Sequence, residues 1–405
     1  MPIESRNVLL VFNAGSATLK FSLHDLNEQP AAELGHGSMD LAERAATLLL
    51  NSTLGSQAFQ ASWPGTGQGL DDTSIDQLLG WVDSIAGVTV SAVAHRIVHG
   101  GNRQQVAARV TPSLVSELEA LVPLAPLHQQ SCLVAVRYIA AHRPHLPQIA
   151  CFDNTFHHTI DPLERLFGLP AALSESGLRR YGYHGLSYEH IARALPRYDM
   201  RAAKGRTVVA HLGNGASVCA LQNGRSVGTS MGFSTLDGVL MGTRPGRLDP
   251  GIIIYLLRER GMALLALEDL LYHECGLLGV SGGLASDMRT LMASESSKAR
   301  VAIDLFVRSV VKEIATMVAV LGGVDALVFT GGIGEHAAPV RQAILQGCEW
   351  LGLTLPPDPG SARGNTAAAR LTTASSPIAA WVIATDENAT IARHSSALLA
   401  QAISK

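Results

Sequence analysis

The sequence predicts an α/β protein, on three observations. Short apolar runs end repeatedly in glycine- or asparagine-bearing turns, apolar residues at helical spacing fill the stretches between them, and one strand–turn–strand pattern occurs twice, about half a chain apart. The first copy is Val8-Leu9-Leu10-Val11-Phe12, the turn Asn13–Ser16, and a second strand Leu19–Leu23. Ser52–Thr73, rich in Ser, Gly and Gln, reads as a loop or surface excursion. Thr111-Pro112 reads as an N-cap followed by a proline at the first helical position, with Leu114, Leu118 and Leu121 on one face.

The second copy runs through Thr207–Leu212, the turn Gly213-Asn214-Gly215 and Ala216–Leu221, and a further strand follows the Asn223-Gly224 turn. From about Lys298 to Leu321, Val301, Leu305, Val310, Ile314 and Met317 recur at helical spacing. Ala326–Phe329 is a short buried strand ending in the turn Gly331–Gly334, with a helix starting near Pro339. Trp381–Ile383 is a last strand, and Thr385-Asp386-Glu387 opens a closing helix. Two related units suggest two domains of related design.

Composition excludes several classes. Of 405 residues, 47% are hydrophobic and 16% charged, which argues for a packed core against disorder. The net charge of −3 comes without a basic stripe, so nucleic acid is not an expected partner. No run is apolar for long enough to span a membrane, and Val8–Phe12 is too short for a signal sequence. The five scattered cysteines fit neither a disulfide framework nor a zinc spacing, so a reducing cytoplasm is the expected compartment.

Four groups of residues carry chemistry. The three glycine turns (Asn13–Ser16, Gly213–Gly215, Gly331–Gly334) are nests in which backbone N–H groups can approach phosphate, although each alone is more often only a turn, and none is a P-loop. His95-Arg96-Ile97-Val98-His99-Gly100-Gly101 sets an arginine among apolar residues, suited to carboxylate or phosphate or else to a structural ion pair. Its two histidines have the spacing of a zinc pair on a helix, but no glutamate follows His95 and the glycines would end a helix there. Phe152–His158 with Arg180–Gly185, and Met241–Pro250, place charged or titratable residues on short loops.

In this order the segments Val11–Lys20, His95–Gly101, Ala125–His128, the Asp153 stretch, Arg180–Gly185, His211–Gly215, Met241–Pro250, Ser286–Arg289, Gly331–His336 and Thr385–Glu387 resemble the acetate kinase (acetokinase) family over nearly the whole chain. The resemblance implies two ribonuclease H-like domains of the acetate and sugar kinase/actin-like superfamily with an interdomain nucleotide cleft. Residues 1–152 with 388–405 would form one domain, and 153–387 the nucleotide-binding one. It implies reversible ATP-dependent phosphorylation of acetate, with magnesium or manganese, in a homodimer. It gives Asn13 and Glu387 to the metal, Lys20 and His211-Leu212-Gly213-Asn214-Gly215 to the phosphates, and Asp287-Met288-Arg289 and Gly332-Ile333-Gly334-Glu335-His336 to the adenosine. Arg96 would hold the substrate carboxylate beside Asp153, while His184 and Arg244 would stabilise the moving phosphoryl group. Val98, Leu127, Tyr183 and Thr235 would line the acyl pocket, Thr235 standing where the family usually has proline and Tyr183 where it has phenylalanine.

A carboxylate acceptor is ionised at pH 7 and needs no general base, so Asp153 reads as an orienting group. The 15 histidines are expected as the polar lining of one cleft. Three other readings compete. They are a propionate or longer-acid kinase, a metallohydrolase using His95, His99, Asp153 and His157, and an actin-like ATP-binding switch module.

Overall fold

The structure, a computed structural model, describes residues 6–15, 18–28, 31–41, 45–50, 58–62, 70–357 and 368–403. The chain separates into two compact units, Met1–Thr155 with Asp386–Lys405, and Phe156–Thr385. Among the described residues no helix is long and apolar enough to cross a membrane.

The first unit is built on eight strands: β1 (Arg6–Ala14), β2 (Thr18–Asp25), β3 (Ala32–Asp40), β4 (Ala45–Leu50), β5 (Ala58–Ser62), β6 (Val88–Ile97), β7 (Ala107–Arg109) and β8 (Gln148–Phe152). They form one sheet in the order β5-β4-β3-β2-β1-β6-β8-β7. β1 and β2 are an antiparallel hairpin, and β1 runs parallel to β6, as β6 does to β8. The central strands are buried along most of their length, so they read as apolar runs rather than as alternation. The helix Asp72–Asp83 starts where Asp71 accepts from the Ser74 backbone N–H, and it buries Ile75, Leu78, Leu79 and Val82 against Leu10, Phe12, Phe21 and Leu23. The closing helix Glu387–Ile403 packs on β1, β6, β7 and β8.

The second unit holds β9 (Arg206–Leu212), β10 (Ala216–Gln222), β11 (Arg225–Thr229), β12 (Ala326–Thr330), β13 (Ala368–Arg370) and β14 (Ala379–Ile383), in the order β11-β10-β9-β12-β14-β13. Here too the hairpin β9/β10 is antiparallel, while β9, β12 and β14 run parallel. The helix Ser297–Leu321 packs on β9 and β10 and ends at Gly322 in the left-handed region.

Three local expectations change. Of Ser52–Thr73, residues 52–57 and 63–69 lie outside the described residues, and the remainder is not all loop: Ala58–Ser62 is strand β5, and a helix starts at Asp72. In Ser297–Leu321 the buried face is Ala299, Ala302, Phe306, Val310, Ile314, Met317 and Leu321, whereas Val301 and Leu305 stand 56% and 42% exposed. The spacing 301–305–310 breaks the 3.6-residue period, and the small alanines that allow close packing on the sheet fix the true phase. Gly331–Gly334 is not an open turn, because the chain passes straight from β12 into the helix Gly331–His336, with Gly331 at φ +79° where a side chain would meet the Leu212 backbone.

Candidate active site

In the first unit the end of β6 delivers Arg96 to Asp153, just past β8, and Arg96 Nη2 donates to Asp153 Oδ2 at 2.7 Å. Both side chains are largely or fully removed from water. Burial works against the guanidinium charge, but Asp153 and then Glu387 outweigh it, and the Arg96 pKa lies above its ordinary value. Arg96 Nε is buried with no hydrogen-bond partner among the described residues, a position that suits an oxygen of a bound acid.

The segment around Arg96 is fastened by two buried amides. Gln129 accepts from the His99 backbone N–H and donates to its carbonyl. Asn154 accepts from the Gly100 N–H and donates to the Gly101 carbonyl. Val98 is buried here, and the side chain of Leu127 lies outside those described. His95 and His99 do not form a helical metal pair. His95 sits on β6 against Gln148, and burial pushes both imidazoles down to about 4.

At the end of β1, Asn13 Nδ2 donates to Glu387 Oε2 at 2.8 Å. The pair joins an amide to a carboxylate, an oxygen donor set that fits a hard cation shared with phosphates. Lys20 stands opposite Asn13 in the β1/β2 register, with its side chain exposed. Ser16, the far end of the expected turn, lies outside the described residues.

In the second unit the turn Gly213–Gly215 closes on itself, the Gly213 N–H donating to the Gly215 carbonyl. Asn214 accepts through its carbonyl from the Gly242 N–H, which binds the Arg244 loop to this turn. A Cβ placed on Gly215 would lie 2.8 Å from Arg244 Nη2 and 3.3 Å from His184 Nε2. Glycine therefore leaves open a space on which a guanidinium and an imidazole converge. Arg244 is buried, with Nη1 donating to the Thr235 carbonyl at 2.8 Å. The buried Thr235 Oγ1 has no partner among the described residues, and Tyr183 is buried with its hydroxyl donating to the Phe233 carbonyl.

His184 adopts φ +60°, uncommon for a residue with a side chain, immediately before the helix Gly185–Ala194. Its ring stacks on His211 with centroids 4.3 Å apart. Further along the same loop Arg247 meets the buried Glu313 at 2.9 Å, which ties the loop to the long helix.

The remaining expected residues lie elsewhere in the second unit. Leu212 is buried on β9. Asp287 caps the helix Met288–Ala293, accepting from the Thr290 N–H, a bond that lowers its pKa; Met288 is buried and Arg289 exposed. In the helix Gly331–His336, Glu335 Oε1 accepts from the N–H groups of Gly331 and Thr385. Gly332 and His336 are exposed, Ile333 is half-buried and Gly334 is buried.

The histidines do not line one cleft. His24 and His95 are buried against Ser22 and Gln148, and His157 is buried too, engaging Ser226 and the Tyr183 carbonyl through its two ring nitrogens. Among the described residues no group of three or more His, Cys, Asp or Glu side chains could hold a metal, so the metallohydrolase reading finds no ligand set. Gln129, Asn154, Ser217 and Glu313 were not legible in the sequence, because these bonds span 30 to 66 residues and leave no local pattern.

The profile of the acetokinase family matches residues 8–393. Over 396 residues the chain is 47% identical to an acetate kinase of Rhodopseudomonas palustris, covering 96% of this chain and 97% of that one. It is 41% identical over 393 residues to an acetate kinase of Nitrobacter hamburgensis, covering 96% of each. Among solved structures, the acetate kinase of Porphyromonas gingivalis superposes with a TM-score of 0.82 at 28% identity, covering 97% of this chain and 100% of that one. A propionate kinase from Francisella tularensis gives 0.83 at 30% identity, covering 96% and 98%.

Proposed function

Because this chain belongs to the acetokinase family, we propose that it transfers the γ-phosphoryl group of ATP reversibly to the carboxylate of acetate, forming acetyl phosphate. The observation that carries the reading is the convergence of Arg244 Nη2 and His184 Nε2 on the open face of Gly215. Phosphoryl transfer passes through a loose transition state with charge on three equatorial oxygens, and an arginine and an imidazole N–H suit those oxygens. Arg96, oriented by Asp153, binds the acid, whose carboxylate is the nucleophile as it stands. The family resemblance assigns the acyl group to Tyr183 and Thr235 in the second unit and to Val98 and Leu127 in the first.

The turn His211–Gly215 and Lys20 bind the phosphates. Asp287–Arg289 and Gly332–His336 hold the adenosine, Met288 contributing backbone because its side chain is buried. Asn13 and Glu387 would hold the magnesium (or manganese) that accompanies ATP, whose chemistry is to neutralise the leaving diphosphate.

Acetate is favoured over propionate because the relatives at 40–47% identity are named acetate kinases, whereas the propionate kinase matches at 30%. The test is hydroxylamine trapping. With Mg-ATP and acetate the protein should yield a hydroxamate, more from acetate than from propionate. No trapping with either acid would remove the kinase reading.

We also propose a cytoplasmic homodimer. All five cysteines are free thiols. The helix Pro250–Arg258, Pro-Gly-Ile-Ile-Ile-Tyr-Leu-Leu-Arg, buries none of its residues, with Ile254 54% and Tyr255 49% exposed, and the helix Leu264–Asp269 packs beside it. A second copy of the same face would remove that apolar surface from water. Sedimentation of Ile254→Glu should give a monomer where the unchanged protein gives a dimer; an unchanged profile would place the interface elsewhere.

A further inference from the structure

The stacked imidazoles His184 and His211 are each gripped at Nδ1 by a serine. His184 Nδ1 lies 2.7 Å from Ser217 Oγ, and His211 Nδ1 lies 2.8 Å from Ser187 Oγ, which in turn reaches Thr385 Oγ1 at 2.8 Å. Both Nε2 atoms face the glycine turn, His184 Nε2 toward Gly215 and His211 Nε2 toward Gly213. Ser217 stands directly opposite His211 in the β9/β10 register, which is how one strand pair supplies a ring to stack on and a hydroxyl to bond. The Ser217 hydroxyl is fully buried and also bonds the buried hydroxyl of Tyr188, on the helix that His184 precedes.

We propose that Ser217, with Tyr188 behind it, is a positioning residue that keeps the His184 proton on Nε2, aimed at the transferring phosphoryl group. A phenol is the stronger donor of the two hydroxyls, so Tyr188 O–H donates to Ser217 Oγ. The Ser217 proton is then directed to His184 Nδ1, which accepts it, and the ring must carry its own proton on Nε2. Without the serine either tautomer is open to the ring, and the Nδ1–H form would turn a lone pair toward phosphate oxygens. The stack supports the same state, since two imidazolium rings at 4.3 Å would repel one another. The left-handed backbone at His184 is held by this arrangement, as strained residues at functional positions are held by their surroundings.

The inference rests on the phosphoryl-transfer reading above, but its main readout does not, because the tautomer is measured on protein without substrates. Protein labelled with ¹⁵N-histidine, studied by long-range ¹H–¹⁵N correlation with His184→Gln identifying the signals, should show His184 protonated on Nε2. In Ser217→Ala the Nδ1–H form should appear. kcat should fall about tenfold, the loss of one good hydrogen bond, with both KM values within about twofold. Ser217→Thr, which keeps the hydroxyl on a strand that tolerates β-branching, should restore most of kcat and the original tautomer. Tyr188→Phe preserves the packing and should shift the tautomer in the same direction with a smaller kcat loss. An Nδ1–H tautomer in the unchanged protein would overturn the proposal. So would a tautomer unmoved by both Ser217→Ala and Tyr188→Phe, or a folded threonine variant no better than alanine.

Discussion

The two sheets share one plan and carry different chemistry. The orders β3-β2-β1-β6-β8-β7 and β11-β10-β9-β12-β14-β13 have the same succession of pairings: antiparallel, antiparallel, parallel, parallel, antiparallel. Each even closes on a three-residue edge strand reading Ala-Ala-Arg, Ala107–Arg109 and Ala368–Arg370, while β4 and β5 extend only the first. What differs is the occupant of equivalent places. The first hairpin turn offers Asn13, bonded to a carboxylate; the second offers Gly213-Asn214-Gly215, left bare so that Arg244 and His184 approach. The first unit's arginine is neutralised by Asp153, whereas the second unit's Arg244 is anchored on the neutral Thr235 carbonyl. On the proposed function, one architecture serves in the first unit to hold a carboxylate in the ground state and in the second to meet charge that develops during reaction.

The largest test of that contrast is Arg244→Ala. If Arg244 meets oxygens whose charge redistributes in the transition state, kcat should fall about 10³–10⁵-fold with modest changes in either KM. Arg244→Lys should recover little, because a point charge cannot reproduce the planar fork. A folded alanine variant that loses less than about tenfold in kcat would erase the distinction between the two arginines. Arg96→Ala should act differently. The KM for acetate should rise by about one to two orders of magnitude, from loss of a charge-assisted clamp, with the KM for ATP little changed. An unchanged acetate KM would move the carboxylate clamp out of the first unit.

The smallest effect sharpens the comparison through stability. In the first unit His95 and His99 have pKa values near 4, and His24 is also lowered, in each case chiefly because burial disfavours the charged ring. The folded state binds these protons less readily than the unfolded chain, so their contribution is complete above about pH 6.5. It is lost progressively as pH falls from there toward 4. One pH unit below the unfolded value this amounts to about 1 kcal/mol for each of His95 and His99. Hydrogen exchange between pH 7 and 5 should therefore show the first unit losing protection, with the slope reduced in a folded His95→Gln variant. An equal, histidine-independent loss in both units would contradict it.

Much of this was legible in the sequence because it is written in near neighbours. A run such as Thr207–Leu212 before Gly213-Asn214-Gly215 specifies a strand and a turn from residues a few positions apart, and Thr111-Pro112 specifies a helix start in the same way. The segments that resemble acetate kinases also named Arg96 with Asp153, and His184 with Arg244, pairs that lie close together within their own units. The failures share one cause. The phase of Ser297–Leu321, the strand inside Ser52–Thr73, and the scattering of buried histidines depend on which surface another part of the chain presents, and neither composition nor period encodes that.

The sequence by itself determined the α/β class, the repeated hairpin and the residue types of the candidate site, since backbone preference and side-chain chemistry act locally. Tertiary structure alone decided that Ser217 would lie opposite His211 and beside His184, 33 positions away, and that Gly215 would be the gap shared by His184 and Arg244. Only strand register and the left-handed turn at His184 bring those groups within hydrogen-bond distance, because directional bonds between residues far apart in sequence exist only once packing has fixed both ends.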